Sequence, residues 1–224
     1  MSRPSVLVLC SGGLKSAFLI ALAKKEFDDV GLLFLDHGQD SAIRERQAVH
    51  DLAKHYQLEN TVHTLVIRDV VPSGWPRFKL TLLLWYAILY AKKYSYHKVY
   101  FGPSLDDKRE EATLQYLNEL RRLLETIQPD YADRRGIKYD KIGVDAPLIK
   151  LTESRVILLG NSYRVPWELT WCCLKNQIHH CGICPRCIRR QQAFATANYL
   201  DMTKYKIPYL ELQAKKRALK KGKQ

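Results

Sequence analysis

The fold is decided by residues 5–25, SVLVLCSGGLKSAFLIALAKK. The first six residues form a short apolar run with β-branched side chains, which is typical of a buried strand. A turn with Gly12 and Gly13, flanked by Ser11 and Ser16, follows at once, and residues 17–25 predict a helix. Both glycines can adopt positive φ and leave room for a phosphate, which backbone N–H groups and a helix N-terminus bind in this setting. The stretch therefore predicts a nucleotide loop, although many such turns in α/β proteins hold no ligand.

The rest of the chain repeats the same strand and helix alternation. Further strands are predicted at residues 30–35, 62–66, 98–101 and 142–144, and helices at residues 42–58, 80–93, 110–127 and 153–160. Thr152 is expected to cap the last of these helices. Repeated β–α units predict an α/β fold with a parallel, five-stranded, doubly wound, Rossmann-like sheet. Ligands bind beyond the carboxyl ends of such strands, where we expect Ser11, Asp36, Gly102, Asp106 and Asp107 to gather.

Five of the six cysteines lie between residues 170 and 194, TWCCLKNQIHHCGICPRCIRRQQAF. Three of them have C-x2-C-x2-C spacing: Cys181, Cys184 and Cys187. A fourth thiolate from Cys172 or Cys173, or the imidazole of His180, could complete a tetrahedral zinc site. A redox Cys-x-x-Cys pair, an iron–sulfur cluster and unligated thiols are the alternatives. The spacing favours structural zinc.

Length and charge bound the remaining possibilities. The chain has 224 residues and a formal net charge of +13, so we expect one domain, or one domain with a small appendage, and a surface that favours polyanions. Much of the excess charge lies in the last ten residues, which form either a frayed tail or a nucleic-acid arm. Because the sequence has no apolar run of membrane-span length, no signal peptide and thiols at metal-ligand spacing, we expect a cytoplasmic protein that does not insert into membranes.

Together these motifs resemble the 7-cyano-7-deazaguanine synthases, a family of N-type ATP pyrophosphatases with the adenine nucleotide alpha hydrolase-like fold. That family has an S-G-G-x-D-S loop, a Y-G-Q segment, an A-P-L…L-T-K segment and a T-W-S-C…C-G-x-C-x-x-C-x-x-R-x-x-A-F segment. This chain has SGGLKS at 11–16, HGQ at 37–39 with Glu45, APL at 146–148 with LT at 151–152, and the cysteine segment at 170–194. The order and spacing agree from residue 5 to about residue 200. Aligned with T-W-S-C, Cys173 becomes the fourth zinc ligand and Cys172 the serine equivalent.

The resemblance implies an ATP-dependent ligase. Family members adenylate 7-carboxy-7-deazaguanine with release of pyrophosphate, add ammonia to give an amide, and dehydrate the amide to a nitrile that serves queuosine biosynthesis. Structural zinc, Mg²⁺ and ATP as co-substrate are implied with this activity. The expected ATP-binding residues are Cys10, Ser11, Gly12, Gly13, Leu14, Lys15, Ser16, Asp36, Gly38 and Gln39. The expected catalytic residues are Lys15, Ser16 and Glu153, and the candidate Mg²⁺ ligands are Asp106, Asp107 and Glu153. Alternatively, Asp36 only caps its loop, and Asp106 and Asp107 are solvated.

Two departures from the family pattern fall on the chemistry. The loop aspartate of the family is Lys15 here, and the lysine after Leu-Thr is Glu153. Because the changes are opposite in sign, the two side chains could exchange roles if they face each other. Independent drift after a loss of activity is the alternative. In addition, the base-reading Pro-Asp-Cys-Arg segment of the family has no counterpart, since residues 108–116 read KREEATLQY.

Three function classes follow from these departures. The first is the deazaguanine ligase itself, and the second is a ligase with another carboxylate or another amine acceptor, including a protein or nucleic acid. The third is a non-catalytic nucleotide-binding relative. We expect residues 1–165 to form the nucleotide-binding domain, 166–200 a zinc-binding segment with a C-terminal helix, and 201–224 a basic tail. The expected partners are ATP, a small carboxylate, a nucleic acid or acidic protein on the basic surface, and a second copy in a homodimer.

Overall fold

The computed structural model describes residues 4–68, 78–128 and 141–208. At its centre is a five-stranded sheet in which every paired strand is parallel. In chain order the strands are β1 Ser5–Leu9, β2 Asp29–Asp36, β3 Val62–Val66, β4 Lys98–Tyr100 and β5 Gly143–Asp145. Across the sheet they lie in the order β3-β2-β1-β4-β5. The predicted α/β fold is therefore confirmed, and the strand order reverses between β1 and β4, where ligands bind in such sheets.

Helices cover both faces of this sheet. In the described part of the chain they are α1 Leu14–Glu26, α2 Ala42–Tyr56, α3 Lys79–Lys93, α4 Leu114–Ile127, α5 Glu153–Ser162 and α6 Pro185–Thr196. Helices α1, α2, α5 and α6 pack on one face, and α3 and α4 pack on the other. β1 shows why both layers are needed. Val6 and Val8 point into the first layer and Leu7 into the second, and all three are fully buried.

Threonine side chains cap the starts of α4 and α5. Thr152 Oγ1 accepts a hydrogen bond from Arg155 N at 3.2 Å, which confirms the predicted cap of α5. The predicted helix over residues 110–127 begins later than expected. Glu110–Ala112 form a separate 3₁₀ turn, and Thr113 Oγ1 accepts from Tyr116 N at 3.1 Å, so α4 starts only at Leu114.

Two further expectations, on membrane spans and on the basic tail, are compared with the described residues. No helix among the described residues is both long and apolar enough to span a membrane. The basic residues of the predicted tail beyond position 208 lie outside the described residues.

Candidate active site and metal centre

The nucleotide loop between β1 and α1 is closed by its own serines. Ser16 is buried, and its Oγ accepts from Ser11 N at 3.0 Å and lies 3.3 Å from Ser11 Oγ. Leu14 is buried in the core. Cys10 is buried as well, and burial raises the pKa of its thiol to about 11, so the group is neutral at physiological pH. Cys10 and Leu14 therefore shape the loop from inside, and only their backbones could reach a ligand.

The two glycines of the loop have different reasons to be glycine. Gly12 has φ +70°, and a Cβ there would lie 2.5 Å from Glu45 O and 2.9 Å from Ala48 Cβ of α2. Gly13 is the N-cap of α1 with φ −84°, so only Gly12 uses the positive φ that glycine permits. A Cβ on Gly13 would meet only ordinary contacts at 3.6 Å. Close packing of the loop against α2 is what demands glycine at position 12.

The carboxylate at the end of β2 is paired with an arginine. Asp36 is buried and accepts hydrogen bonds from Arg68 Nη2 at 2.6 Å, Arg68 Nε at 3.1 Å and Gly38 N at 3.1 Å. The hydrogen bonds from Arg68 hold the pKa of Asp36 below its ordinary value. Gln39 turns back on the chain, since its Oε1 accepts from His37 N and its Nε2 donates to Glu45 Oε2 at 2.9 Å. These contacts agree with the alternative interpretation, in which Asp36 caps its own loop.

Lys15 faces two carboxylates across the carboxyl edge of the sheet. Its Nζ lies 2.7 Å from Asp107 Oδ2, 3.5 Å from Glu153 Oε1 and 3.2 Å from Ser104 Oγ. Burial alone would raise the pKa of Asp107, but the charge and hydrogen bond of Lys15, the charge of Arg109 and the N–H of Ser104 together leave it lowered. Asp106 lies beside them and accepts a hydrogen bond from Glu153 N at the start of α5. The geometric condition for an exchange of roles between Lys15 and Glu153 is thus met.

The cysteine segment, residues 170–194, gathers four thiols into one cluster. The sulfurs of Cys173, Cys181, Cys184 and Cys187 all lie within 4.8 Å of one another, and the four residues are buried. The Cys181 and Cys187 sulfurs are 3.9 Å apart, close to the separation of about 3.8 Å that tetrahedral Zn–S bonds of 2.3 Å give. Backbone N–H groups donate to the sulfurs of Cys173 and Cys181 at 3.3 to 3.5 Å. The arrangement suits a single metal ion.

Neither competitor for the fourth position belongs to the set of four mutually close ligands, although the Cys172 thiol packs against that set and interacts with Cys187. His180 Nε2 accepts from Cys172 N at 3.1 Å, and its ring lies 4.1 Å from that of Trp171. Burial lowers the pKa of His180 to about 4, so the ring is neutral and serves as a backbone acceptor. Cys172 is only partly buried. The geometry therefore favours Cys173, as the resemblance implies.

A buried arginine fixes the cysteine segment to the domain. Arg190 of α6 is 2 % exposed and donates to Asp201, to Trp167 O and to Thr170 Oγ1. Residues 204–206 continue from Asp201 and pair with His180, since His180 N donates to Lys204 O and His180 O accepts from Lys206 N. The first residues of the predicted tail thus cover the cysteine cluster.

The cysteine segment also touches the nucleotide loop directly. Trp171 N donates to Gly12 O at 2.8 Å. From α6, Arg186 Nη1 bonds Glu45 Oε1 at 3.0 Å and Arg189 Nη1 lies 3.8 Å from Glu153 Oε1. Sequence reasoning missed both arginines, although their i, i+3 spacing within CPRCIRR places them on one face of a helix.

The different demands on the two glycines can be tested by matched substitutions. Gly12→Ala should lower the free energy of unfolding by about 1–3 kcal/mol, because its methyl group collides with α2 and its φ is strained. Gly13→Ala should change it by less than about 0.5 kcal/mol. Urea unfolding of both metal-loaded variants measures this, and equal stabilities would show that Gly12 is not needed for packing.

Comparisons with known proteins agree with this geometry. The family model described as "Queuosine biosynthesis protein QueC" matches residues 5–74 and 63–198. The 7-cyano-7-deazaguanine synthase of Methanothrix thermoacetophila is 28% identical over 88% of this chain and 96% of its own length. The enzyme of the same name from Koribacter versatilis is 27% identical over 89% of this chain and 92% of its own length.

A solved structure is more distantly similar. The U34-tRNA thiolase NcsA from Methanococcus maripaludis has a TM-score of 0.49 and 15% identity, covering 87% of this chain and 65% of that chain. Similarity of that degree says nothing about what this chain binds. The family match spans both the nucleotide loop and the cysteine cluster, and the chain therefore belongs to the QueC family of queuosine biosynthesis proteins.

Proposed function

We propose that the chain is an ATP-dependent ligase that adenylates a small carboxylate, 7-carboxy-7-deazaguanine or an analogue, and then forms an amide or nitrile with ammonia. One observation carries this proposal. The glycine loop and the Lys15–Asp107–Glu153 cluster lie together at the carboxyl edge of the sheet, in a chain that the QueC model matches from residue 5 to residue 198. Its relatives are named 7-cyano-7-deazaguanine synthase, which supports the substrate class.

The proposed reaction depends mainly on holding ATP and the acid in position and on offsetting negative charge. Backbone N–H groups at the start of α1 would hold the phosphates of ATP. The carboxylate of the substrate then attacks the α-phosphorus, and pyrophosphate leaves with its charge offset by nearby cations. Ammonia displaces AMP from the acyl-adenylate to give the amide. For the nitrile, a second ATP adenylates the amide oxygen with release of pyrophosphate, and AMP then leaves with that oxygen. Mg²⁺, when bound, would neutralise phosphate charge, and Asp107 and Glu153 offer the oxygen ligands it prefers once Lys15 moves away.

Pyrophosphate release tests this activity. Purified, metal-loaded protein should release pyrophosphate from ATP when 7-carboxy-7-deazaguanine and ammonium are present, and much less when the acid is left out. Pyrophosphate release that does not depend on this acid, but increases with another carboxylate or a protein amine, would favour the second function class. That class gains weight because residues 108–116 lack the base-reading segment of the family. ATP binding without any pyrophosphate release would mark a non-catalytic relative.

We propose zinc as the ion of the four-cysteine cluster. The chemistry of the donors fits, because four thiolates form a closed tetrahedral structural site and the sulfurs lie close enough for one ion. An iron–sulfur cluster would place several irons among the same ligands and suits this small separation less well. The bound ion would hold residues 170–194 against the nucleotide loop.

Elemental analysis of matched serine variants tests the metal. Cys184→Ser should lose the metal and lower the free energy of unfolding, since a structural metal contributes folding energy directly. Cys172→Ser is the control and should keep one zinc per chain. Iron in the purified protein, or zinc kept by Cys173→Ser and lost by Cys172→Ser, would contradict the assignment.

We also propose that Lys15 and Glu153 exchange the two charged roles of the family. Lys15 would meet the phosphates of ATP, and Glu153 would supply the carboxylate that the loop lacks. The 3.5 Å separation of the two charged groups supports an exchange, and Lys15 is already held in the site by Asp107.

A double-mutant cycle separates exchange from independent drift. Lys15→Asp adds a third carboxylate beside Asp107 and Glu153, and Glu153→Lys brings two ammonium groups together, so each should weaken ATP binding. The double variant should recover part of it, with a coupling energy of about 1–3 kcal/mol measured by calorimetry. Additive free energies would end the proposal.

Other expectations remain predictions. They are the division at residues 165 and 200, the cytoplasmic location, the homodimer and the nucleic-acid or acidic-protein partner of the basic surface.

A further inference from the structure

Arg189 of α6 has hydrogen-bond donors that the protein leaves unused. Its ion-pair partner among the described residues is Glu153, whose Oε1 lies 3.8 Å from Arg189 Nη1. That separation is too long for a hydrogen bond, and the guanidinium donates to no other residue that the structure describes. The Arg189 side chain is 42% exposed. Because a guanidinium is charged and carries several N–H groups in a fixed fork, these donors are available to a ligand from solution.

Two neighbouring arginines are committed to the protein instead. Arg186, one turn earlier on the same face of α6, donates a 3.0 Å hydrogen bond to the buried carboxylate of Glu45. Arg109 donates to Asp107 at 3.1 Å. Of these three arginines, Arg189 is therefore the one whose donors are not spent on described residues.

The backbone that carries Arg189 is fixed on both sides. Cys187, two residues earlier, is fully buried and belongs to the four-cysteine cluster. Arg190, the next residue, is buried and donates to Asp201 and to Trp167 O. A ligand that binds Arg189 would have to order only the side chain, because the helix beneath it is already held in place.

Arg189 and Lys15 lie beside the same carboxylate oxygen. Lys15 Nζ is 3.5 Å from Glu153 Oε1 and 2.7 Å from Asp107 Oδ2. Lys15 is the second residue of α1, so this pair of cations adjoins the backbone N–H groups of the nucleotide loop. Two positive groups beside one carboxylate repel each other, and an anion that carries more charge than a single carboxylate would stabilise them better.

The sequence of this chain lacks one cation of the family pattern at this point. The family has a lysine after Leu-Thr, where this chain has Glu153 as the first residue of α5. The guanidinium that lies against Glu153 comes from α6 instead. Position 189 falls between Cys187 and Arg190, at a position that the C-x-x-C-x-x-R pattern of the family leaves open.

We propose that Arg189 is a phosphate-binding residue, which leaves Glu153 to bind the pyrophosphate portion of ATP and then the pyrophosphate product. The inference rests on the proposed function, which supplies ATP and pyrophosphate. The guanidinium would exchange a loose ion pair for charge-assisted, bidentate hydrogen bonds to phosphate oxygens. Because the four-cysteine cluster fixes the helix that carries Arg189, the cluster would position a ligand-binding residue as well as stabilise the fold.

Calorimetry with pyrophosphate tests the inference without assuming the acid substrate. Metal-loaded Arg189→Met should bind pyrophosphate and ATP about 10- to 100-fold more weakly than the unmodified protein, the loss expected for charge-assisted hydrogen bonds. Its affinity for AMP, which lacks the pyrophosphate portion, should change by less than about threefold. Arg189→Lys should recover only part of the affinity, because an ammonium cannot form the bidentate fork.

A matched control and a stability measurement separate ligand binding from a structural role. Arg122→Met removes an exposed arginine of α4 that pairs with Glu119 on its own helix, and it should change neither affinity. The thermal midpoint of Arg189→Met should stay the same, because the lost ion pair is long and partly exposed. If Arg189 only anchored Glu153, the thermal midpoint would fall, and the affinities for AMP and pyrophosphate would fall together.

The possible results distinguish this inference from the proposed function. If pyrophosphate binding depends on Arg189 but ATP gives no pyrophosphate with 7-carboxy-7-deazaguanine and ammonium, the proposed function is wrong and the inference stands. If Arg189→Met binds pyrophosphate as tightly as the unmodified protein, the inference is overturned, whatever the activity. An equal loss of affinity for AMP and pyrophosphate, or no binding of pyrophosphate by the unmodified protein, would also overturn it.

Discussion

The backbone of Gly12 connects the nucleotide loop to the cysteine segment. Its carbonyl accepts the hydrogen bond of Trp171 N, and its missing side chain lets the loop pack against the Glu45 carbonyl of α2. The nucleotide loop is therefore clamped between a helix of the domain and a segment that is built around four cysteines. Anything that loosens the cysteine segment also loosens the loop, so the proposed metal would serve the proposed nucleotide binding as well as folding.

Arg190 carries the same constraint into the domain core. A fully buried guanidinium is tolerated only when its charge is paired and its N–H groups are satisfied. Asp201 supplies the charge, and the Trp167 carbonyl and Thr170 hydroxyl complete the set. Because Thr170 directly precedes Trp171, the arginine fixes the backbone that reaches Gly12. The arginine and alanine–phenylalanine positions of the cysteine motif are thus explained by packing, since Phe194 also lies under the Arg190 guanidinium.

The site is balanced by ion pairs between elements that are distant in the sequence. Lys15 of α1 pairs with Asp107 and Glu153, and from α6 Arg186 pairs with Glu45 and Arg189 with Glu153. Binding of a polyanion must redistribute these pairs, because a phosphate competes with Asp107 and Glu153 for the same cations. Under the proposed function, such competition makes the affinity for ATP sensitive to every charge at this edge, which distinguishes the site from a loop that uses backbone donors alone.

Much of this architecture follows from local patterns. Apolar periodicity and the glycine turn predicted the parallel sheet and the order of strands and helices along the chain. The spacing of the cysteines, together with the family resemblance, predicted that Cys173 joins the three later cysteines in one cluster. The start of α4 was missed because Thr113 is a better cap than the acidic residues before it. The sequence could not tell which of the two glycines is essential, because the need for glycine at position 12 arises from contacts with α2 that only the fold creates. The i, i+3 spacing of Arg186 and Arg189 places them on one face of a helix, but their partners Glu45 and Glu153 lie on other elements that only the fold brings close.

The central claim is that the site transfers AMP to a carboxylate. Isotope transfer tests it directly, with the acid labelled by ¹⁸O in both carboxylate oxygens and the nucleotide products analysed by mass spectrometry. Adenylation predicts that one ¹⁸O atom leaves with AMP when ammonia attacks the acyl-adenylate. AMP without label, or label in inorganic phosphate with ADP as the nucleotide product, would contradict the account.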